Sequence, residues 1–65
     1  MAGLNPTRLL VEERRRKIID LVEKQGRVTV DELVKRFIVS AVTVRGDLDA
    51  LWRAGAVVRS HGGAL

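Results

Sequence analysis

The chain has 65 residues, of which 46% are hydrophobic and 31% are charged, and its formal net charge at pH 7 is +4. This length suits one small domain, and such a domain buries only about 60% of the surface that its unfolded chain exposes. The sequence holds no cysteine and one histidine, which excludes a disulfide framework and a cysteine-based zinc site, so that no metal or cofactor is expected.

The first predicted element is a long helix. Residues 1–8 are expected to form a flexible N-terminal segment, and residues 9–65 to form the domain. The helix can begin as early as Pro6, because proline is tolerated at the first helical position and the preceding asparagine can act as N-cap. Nothing interrupts the helix before Gln25, and the glycine that follows supplies a stop.

A basic run, Arg-Arg-Arg-Lys, occupies residues 14–17 of this helix. One interpretation is a solvated face that is balanced by acidic residues of the same helix. The other is that at least one of Arg14, Arg15 and Arg16 contacts a phosphate. Both interpretations remain open at the level of sequence.

A short strand, a short helix and a tight turn follow. The β-branched residues at 27–30 predict a brief strand. Two acidic residues then favour a second helix over about 31–37, because acids in the first turn suit the helix dipole. Residues 38–40 form a tight connection, in which Ser40 is a candidate N-cap for a third helix.

The third helix is predicted to run from residue 41 to residue 54. Val44, Leu48 and Leu51 follow each other at helical spacing and predict a core stripe on this helix. Residues 57–65 are predicted to form a hairpin, with its turn at Gly62-Gly63 and a returning strand after it.

Two helices that are joined by about three residues fit a helix-turn-helix unit, whose second helix presents its outer face to the major groove of DNA. By the helical-wheel count, the outer face and its margins carry Val42, Thr43, Arg45, Gly46, Asp49 and Arg53. The trailing hairpin carries Arg59, Ser60 and His61, which fits a wing against the DNA backbone or minor groove. The basic balance of the chain agrees with a polyanionic partner.

Other classes of partner are disfavoured by composition. Phe37 and Trp52 are the only aromatic residues, too few for the stacking platforms of single-strand nucleic-acid binders. Every apolar run is far shorter than the roughly 18 residues needed to cross a bilayer, so we expect a cytoplasmic protein without a membrane partner. No acid, base and nucleophile are arranged for catalysis, so an enzyme is not expected.

Four short blocks of the sequence match motifs that occur together, in the same order and at the same spacing, in a known group of proteins. They are residues 26–33 (GRVTVDEL), 39–40 (VS), 43–48 (TVRGDL) and 59–64 (RSHGGA). Together they resemble the DeoR family of bacterial transcriptional regulators, over most of the chain. The resemblance implies a mainly α fold with a small β-hairpin wing: a winged helix-turn-helix of three helices, a short strand after the first helix and a two-stranded wing.

The resemblance also implies a function. Members of the family bind operator DNA, usually as repressors of sugar or nucleoside catabolism genes, and carry a larger second domain that senses a sugar phosphate and mediates oligomerisation. Nothing in the chain corresponds to that domain. Either the chain is an excised DNA-binding domain, which is the interpretation we favour, or the protein works without a sensor. The isolated domain is expected to be monomeric in solution, whereas full-length relatives are oligomeric and bind the effector in the part that is missing here.

Several family positions can be carried over to this sequence. Ser40 matches the serine that caps the recognition helix, and Thr43 matches a threonine within reach of a phosphate or a base edge. Arg45 matches the first arginine of the family's usual pair. Asp47 matches the following aspartate and is interpreted as structural, orienting a nearby arginine. The predicted DNA-binding residues are Ser40, Ala41, Val42, Thr43, Arg45, Gly46, Arg53, Arg59 and His61.

Two positions depart from the family pattern. Gly46 stands where the second arginine is usual, which either removes a cationic contact or lets the helix backbone sit deeper in the groove. Ile38 stands in the turn, where a small or polar residue able to adopt a left-handed conformation is common. Because a β-branched residue resists positive φ, the turn is expected either to avoid that conformation or to be strained.

Some residues allow a second function. Gly46 and the acidic Asp49 on one outer face would suit a winged-helix module that binds another protein instead of DNA. Trp52 is expected to pack at the edge of the core stripe, and in this alternative it would anchor the partner. Val42 is either an ordinary exposed residue or a contact to a thymine methyl group.

Overall fold

The computed structural model describes the backbone of residues 6–65 and the side chains from residue 10 onward. The elements in chain order are α1 (Pro6–Gln25), β1 (Val28–Thr29), α2 (Val30–Phe37), α3 (Ala41–Arg53), β2 (Arg59–Ser60) and β3 (Gly63–Ala64). The strands form one antiparallel sheet in the order β1-β3-β2. This confirms the predicted winged helix-turn-helix. Within the described residues, none of the helices has the length and apolar character that crossing a membrane would require.

Helix α1 begins at Pro6, inside the segment that the sequence assigned to a flexible terminus. The fixed φ of proline suits the first helical position, so residues 6–8 belong to the helix. Residues 1–5 of that predicted segment lie outside the described residues. The helix ends as predicted: Gly26 has a φ of 85°, and its amide donates to the Val22 carbonyl at 2.8 Å.

Helix α2 begins at Val30, one residue earlier than predicted, because Thr29 acts as its N-cap. The Thr29 hydroxyl accepts from the Glu32 amide at 3.1 Å, and the Glu32 carboxylate accepts from the Thr29 amide at 2.8 Å. This reciprocal pair is a capping box, which satisfies two donors at the start of the helix. The cap also shortens the predicted strand 27–30, because the chain turns into α2 directly after Thr29.

The turn between α2 and α3 is strained. Ile38 has φ 54° and ψ 54°, the left-handed conformation, and its side chain is 89% exposed. A left-handed conformation costs an L-residue about 1–2 kcal/mol, and exposure of the side chain means that burial does not offset this cost. Of the two expectations for this position, the strained one is correct.

The core lies where the three helices meet the sheet. The predicted stripe of α3 is confirmed, since Val44, Leu48 and Leu51 are all buried. Helix α3 ends at Arg53 rather than at residue 54, because the chain turns out of the helix toward Gly55, which has a φ of 78°. The remaining buried apolar side chains come from α1, β1, α2, the segment between α3 and β2, and β3. They are, in that order, Ile18, Val28, Leu33, Val57 and Ala64.

The turn of the wing lies one residue earlier than predicted. The turn lies at His61-Gly62, and Gly63 belongs to β3 instead of to the turn. The reason is close packing, because a Cβ atom at Gly63 would lie 1.9 Å from the Val28 carbonyl oxygen of β1. Only a residue without a side chain allows the middle strand to pair with β1.

We predict that Gly63→Ala lowers the free energy of unfolding by more than about 3 kcal/mol, because the clash is with backbone that cannot move aside cheaply. Urea titration followed by circular dichroism measures this change. Gly46→Ala is the matched control: a Cβ there meets nothing within 4 Å, so this variant should gain about 1 kcal/mol of stability from helix propensity. A Gly63→Ala protein as stable as wild type would contradict the packing described for β3.

Candidate nucleic-acid interface

The N-terminus of α3 offers a cluster of hydrogen-bond donors. The Ser40 hydroxyl accepts from the Thr43 amide at 3.1 Å and donates to the Thr43 hydroxyl oxygen at 3.0 Å. The Thr43 hydroxyl accepts this proton, and its own proton is used in neither of these two hydrogen bonds. The amides of Ala41 and Val42 lie in the first turn of the helix, where backbone N–H groups have no intrahelical carbonyl to bind. Such free amides at a helix N-terminus favour an anion such as a phosphate.

The outer face of α3 is exposed as the helical-wheel count predicted. Val42 is 77% exposed, and both Arg45 and Gly46 lie on the surface. Arg53 is also exposed, but its guanidinium pairs with the Asp49 carboxylate at 3.1 Å, one turn away on the same helix. The open space around Gly46 shows that packing within the domain does not require glycine there.

A shallow groove of about 170 Å³ separates α3 from the wing. It brings together two of the predicted site residues that are distant in sequence, Arg45 of the helix and Arg59 of the wing. The other lining residues are Val30, Leu48, Asp49, Trp52, Ser60, Gly62, Gly63 and Ala64. His61 is exposed at the tip of the wing and is not among the residues that line the groove.

Trp52 lies beside this groove and is 44% exposed, so it packs less completely at the core edge than the sequence predicted. The guanidinium carbon of Arg59 lies 5.2 Å from the centroid of the Trp52 ring, within the range of a cation–π interaction. The sequence carries no local signal for this contact, because Trp52 and Arg59 meet only when the chain folds the wing back onto α3.

A buried ion pair lies behind the outer face and joins α3 to α1. Asp47 is 1% exposed and accepts hydrogen bonds from two arginines of the basic run. Arg14 donates through Nε and, at 2.9 Å, through Nη2, and Arg15 donates through Nε at 2.9 Å. The hydrogen bond to Asp47, reinforced by its negative charge, raises the pKa of Arg14 above the ordinary value despite partial burial.

This ion pair bears on the two interpretations of the basic run at residues 14–17, a solvated face or a contact to phosphate. Arg14 and Arg15 bind a buried carboxylate, and only Arg16 and Lys17 of the run lie fully on the surface. The interpretation of Asp47 as a structural residue that orients an arginine agrees with this geometry. A signal for its burial exists in the sequence, since Asp47 lies three residues after Val44 and therefore falls on the core side of α3.

The geometry defines a class of protein. A capped helix with an exposed basic face, preceded by a short helix and flanked by a basic hairpin, is the arrangement of DNA-binding winged helix-turn-helix domains. Comparison with known proteins then identifies the family. The model of the DeoR-like helix-turn-helix domain matches residues 14–65, and the chain belongs to this family.

Named repressors are among the similar proteins. The putative galactitol utilization operon repressor of Escherichia coli K12 is 52% identical over 52 residues, which are 80% of this chain and 46% of that protein. The glycerol-3-phosphate regulon repressor of the same organism is 46% identical over 80% of this chain and 21% of its own length. The lactose phosphotransferase system repressor of Streptococcus mutans is 47% identical over 82% of this chain and 21% of its own.

The chain thus spans less than half the length of these relatives, in two cases only about a fifth. The matching part is the helix-turn-helix domain in each comparison with this chain. No solved structure matches the chain significantly.

We predict that Asp47→Ala lowers the free energy of unfolding by about 3 kcal/mol, because it leaves the half-buried Arg14 guanidinium without its partner. The measurement is chemical denaturation monitored by circular dichroism. Asp20→Ala removes an exposed carboxylate from α1 and serves as the control, with an expected change within about 0.5 kcal/mol. Equal effects of the two substitutions would show that the buried pair does not hold α1 to α3.

Proposed function

We propose that the domain binds double-stranded DNA sequence-specifically, as the DNA-reading part of a transcriptional repressor. In this proposal α3 enters the major groove, and the β2–β3 wing lies against the backbone or minor groove. The observation that carries it is the shared groove of Arg45 and Arg59, which aligns one cation from each element on one surface. Membership of the DeoR-like family supports the same function.

The proposal assigns a role to each part of the surface. The donors at the start of α3 bind a backbone phosphate, whereas residues on the outer face of that helix read base edges. The wing residues add contacts to the backbone. The residues proposed to contact DNA are Ser40, Ala41, Val42, Thr43, Arg45, Gly46, Arg53, Arg59 and His61.

The names of the relatives support a more specific role. They are repressors of galactitol utilization, of a glycerol-3-phosphate regulon and of a lactose phosphotransferase system. We infer that the operator of this protein controls genes of carbohydrate metabolism. We further propose that a sugar phosphate acts as effector, through a part of the protein outside this chain that also mediates oligomerisation.

The alternative of a protein-interaction module is not favoured. It relied on Gly46 in place of an arginine, on Trp52 as an anchor for the partner, and on the acidic Asp49 of the outer face, whose charge would oppose the approach of DNA. In the structure Asp49 pairs with Arg53, so that the two charges balance locally. The two exposed arginines Arg45 and Arg59 outnumber Asp49 among the charged residues that line the groove beside α3.

The proposal is tested by fluorescence anisotropy with a random-sequence pool of 30-base-pair duplexes, at low and at moderate salt, followed by sequencing of the retained fraction. About four or five phosphate contacts would give a log–log salt slope near −4. Salt-sensitive binding that enriches one motif supports a sequence reader and reveals its half-site. A protein that binds no duplex at low salt is not a DNA-binding domain.

We predict that Arg45→Ala weakens binding to the enriched duplex by about ten- to a hundredfold, the range of a lost arginine contact to a base. Lys24→Ala removes an equal charge from the end of α1, outside the groove between α3 and the wing, and should change affinity by less than about threefold. Anisotropy titrations of both variants decide the matter. Equal losses would mean that Arg45 contributes only its charge.

We predict that Gly46→Arg tightens DNA binding, because the side chain would project from the centre of the outer face into free space. The same variant should unfold at a higher urea concentration, since glycine is the poorer helix former by about 1 kcal/mol. A variant that is more stable but binds DNA more weakly would instead favour the view that glycine allows the α3 backbone to sit deeper in the groove.

A further inference from the structure

The contact between Trp52 and Arg59 joins the two elements that are proposed to touch DNA. Trp52 lies in the last turn of α3, and Arg59 is the first residue of β2 in the wing. The Arg59 guanidinium lies over the Trp52 ring at 5.2 Å from its centroid, and both residues line the groove that also contains Arg45.

We propose that Trp52 is a positioning residue for DNA binding, which holds the Arg59 guanidinium in the groove beside Arg45 so that Arg59 meets a backbone phosphate next to the bases that Arg45 reaches. This inference rests on the proposed function of the domain. It adds a residue, Trp52, that does not belong to the predicted DNA-contacting set.

The nature of the contact explains how the ring can hold Arg59 without taking all of its hydrogen-bond donors. A cation–π interaction is an attraction between the guanidinium charge and the ring face, and it does not require an N–H hydrogen bond to a polar acceptor. The five N–H donors of the guanidinium can therefore still serve a phosphate oxygen while the contact persists. An arginine without the ring has to give up side-chain conformational entropy when it binds.

The charges around the groove leave Arg59 available for an anion. Asp49 also lines the groove and could compete for the guanidinium, but its carboxylate pairs with Arg53 at 3.1 Å. Among the side chains that the structure describes, Arg59 forms no ion pair, and the Trp52 ring is its one aromatic contact. The ring thus fixes the position of Arg59 without neutralising its charge.

The main test is a double-mutant cycle on the affinity for the random-sequence pool of 30-base-pair duplexes. Trp52→Leu keeps apolar volume but removes the ring, and should weaken binding about two- to fivefold, the range of an exposed cation–π contact. Trp52→Phe should recover part of that loss. In an Arg59→Ala background, Trp52→Leu should have no further effect, because the residue it positions is absent.

A control cycle and a fold control accompany this test. Combining Trp52→Leu with Lys24→Ala should give additive losses, since Lys24 lies outside the groove. Circular dichroism melts should give Trp52→Leu nearly the midpoint of wild type, because Trp52 is 44% exposed and is not part of the buried core. If Trp52→Leu is clearly destabilised, the fluorescence of the free protein decides, because that measurement leaves Trp52 in place.

Fluorescence tests the contact without DNA. Trp52 is the only tryptophan, so its emission reports on the ring alone. Arg59→Ala should change the intensity of that emission in the free protein, and Lys24→Ala should not. Unchanged emission in Arg59→Ala, or additive losses of Trp52→Leu and Arg59→Ala in DNA affinity, overturns this inference alone. Failure of the wild-type protein to bind any duplex overturns the proposed function and, with it, the role of Trp52 in DNA binding.

Discussion

One buried carboxylate orients α3, the helix that is proposed to enter the major groove. Asp47 lies on the inner side of α3 and accepts hydrogen bonds from Arg14 and Arg15 of α1. An acid at 1% exposure without such partners would cost several kcal/mol, so rotations of α3 that separate Asp47 from these arginines are strongly unfavourable. An apolar stripe alone tolerates small rotations of a helix, whereas a two-arginine pair with defined geometry does not. The residues that α3 turns outward follow from this pair.

The backbone pairing of the sheet fixes the wing to the same frame. Strand β3 lies between β1 and β2, and β1 runs directly into α2 through the capping box of Thr29 and Glu32. The Val30 amide also donates to the Gly62 carbonyl at 2.9 Å, which ties the wing turn to the start of α2. The hairpin is thus joined to the helix-turn-helix unit at β1, and the groove between them has defined walls.

Local signals in the sequence were sufficient for the helices but not for contacts between elements. Caps, glycine stops and helical spacing predicted both ends of α2 and α3, and the C-terminal end of α1, to within one residue. The predicted stripe at Val44, Leu48 and Leu51 is buried. The partners of Asp47 lie 32 and 33 residues away, and one sequence carries no signal for which arginines of α1 would face it. The place of Gly63 in a strand likewise depends on β1, which approaches its backbone from another part of the chain. The role of the outer-face residues in reading DNA is still a prediction.

The sheet also determines the order in which the domain can be completed. Each helix forms from contacts within a few residues, but β1 at Val28–Thr29 can pair only after β3 at Gly63–Ala64 has left the ribosome. Until then Val28, which is fully buried in the finished domain, has no cover from Ala64, with which it pairs across the sheet. Pairing of strands that are distant in sequence is slower than helix formation, so the three helices are expected to form before the wing is joined to them. A nascent chain therefore acquires a rigid groove between helix and wing only when Ala64 becomes free to pair.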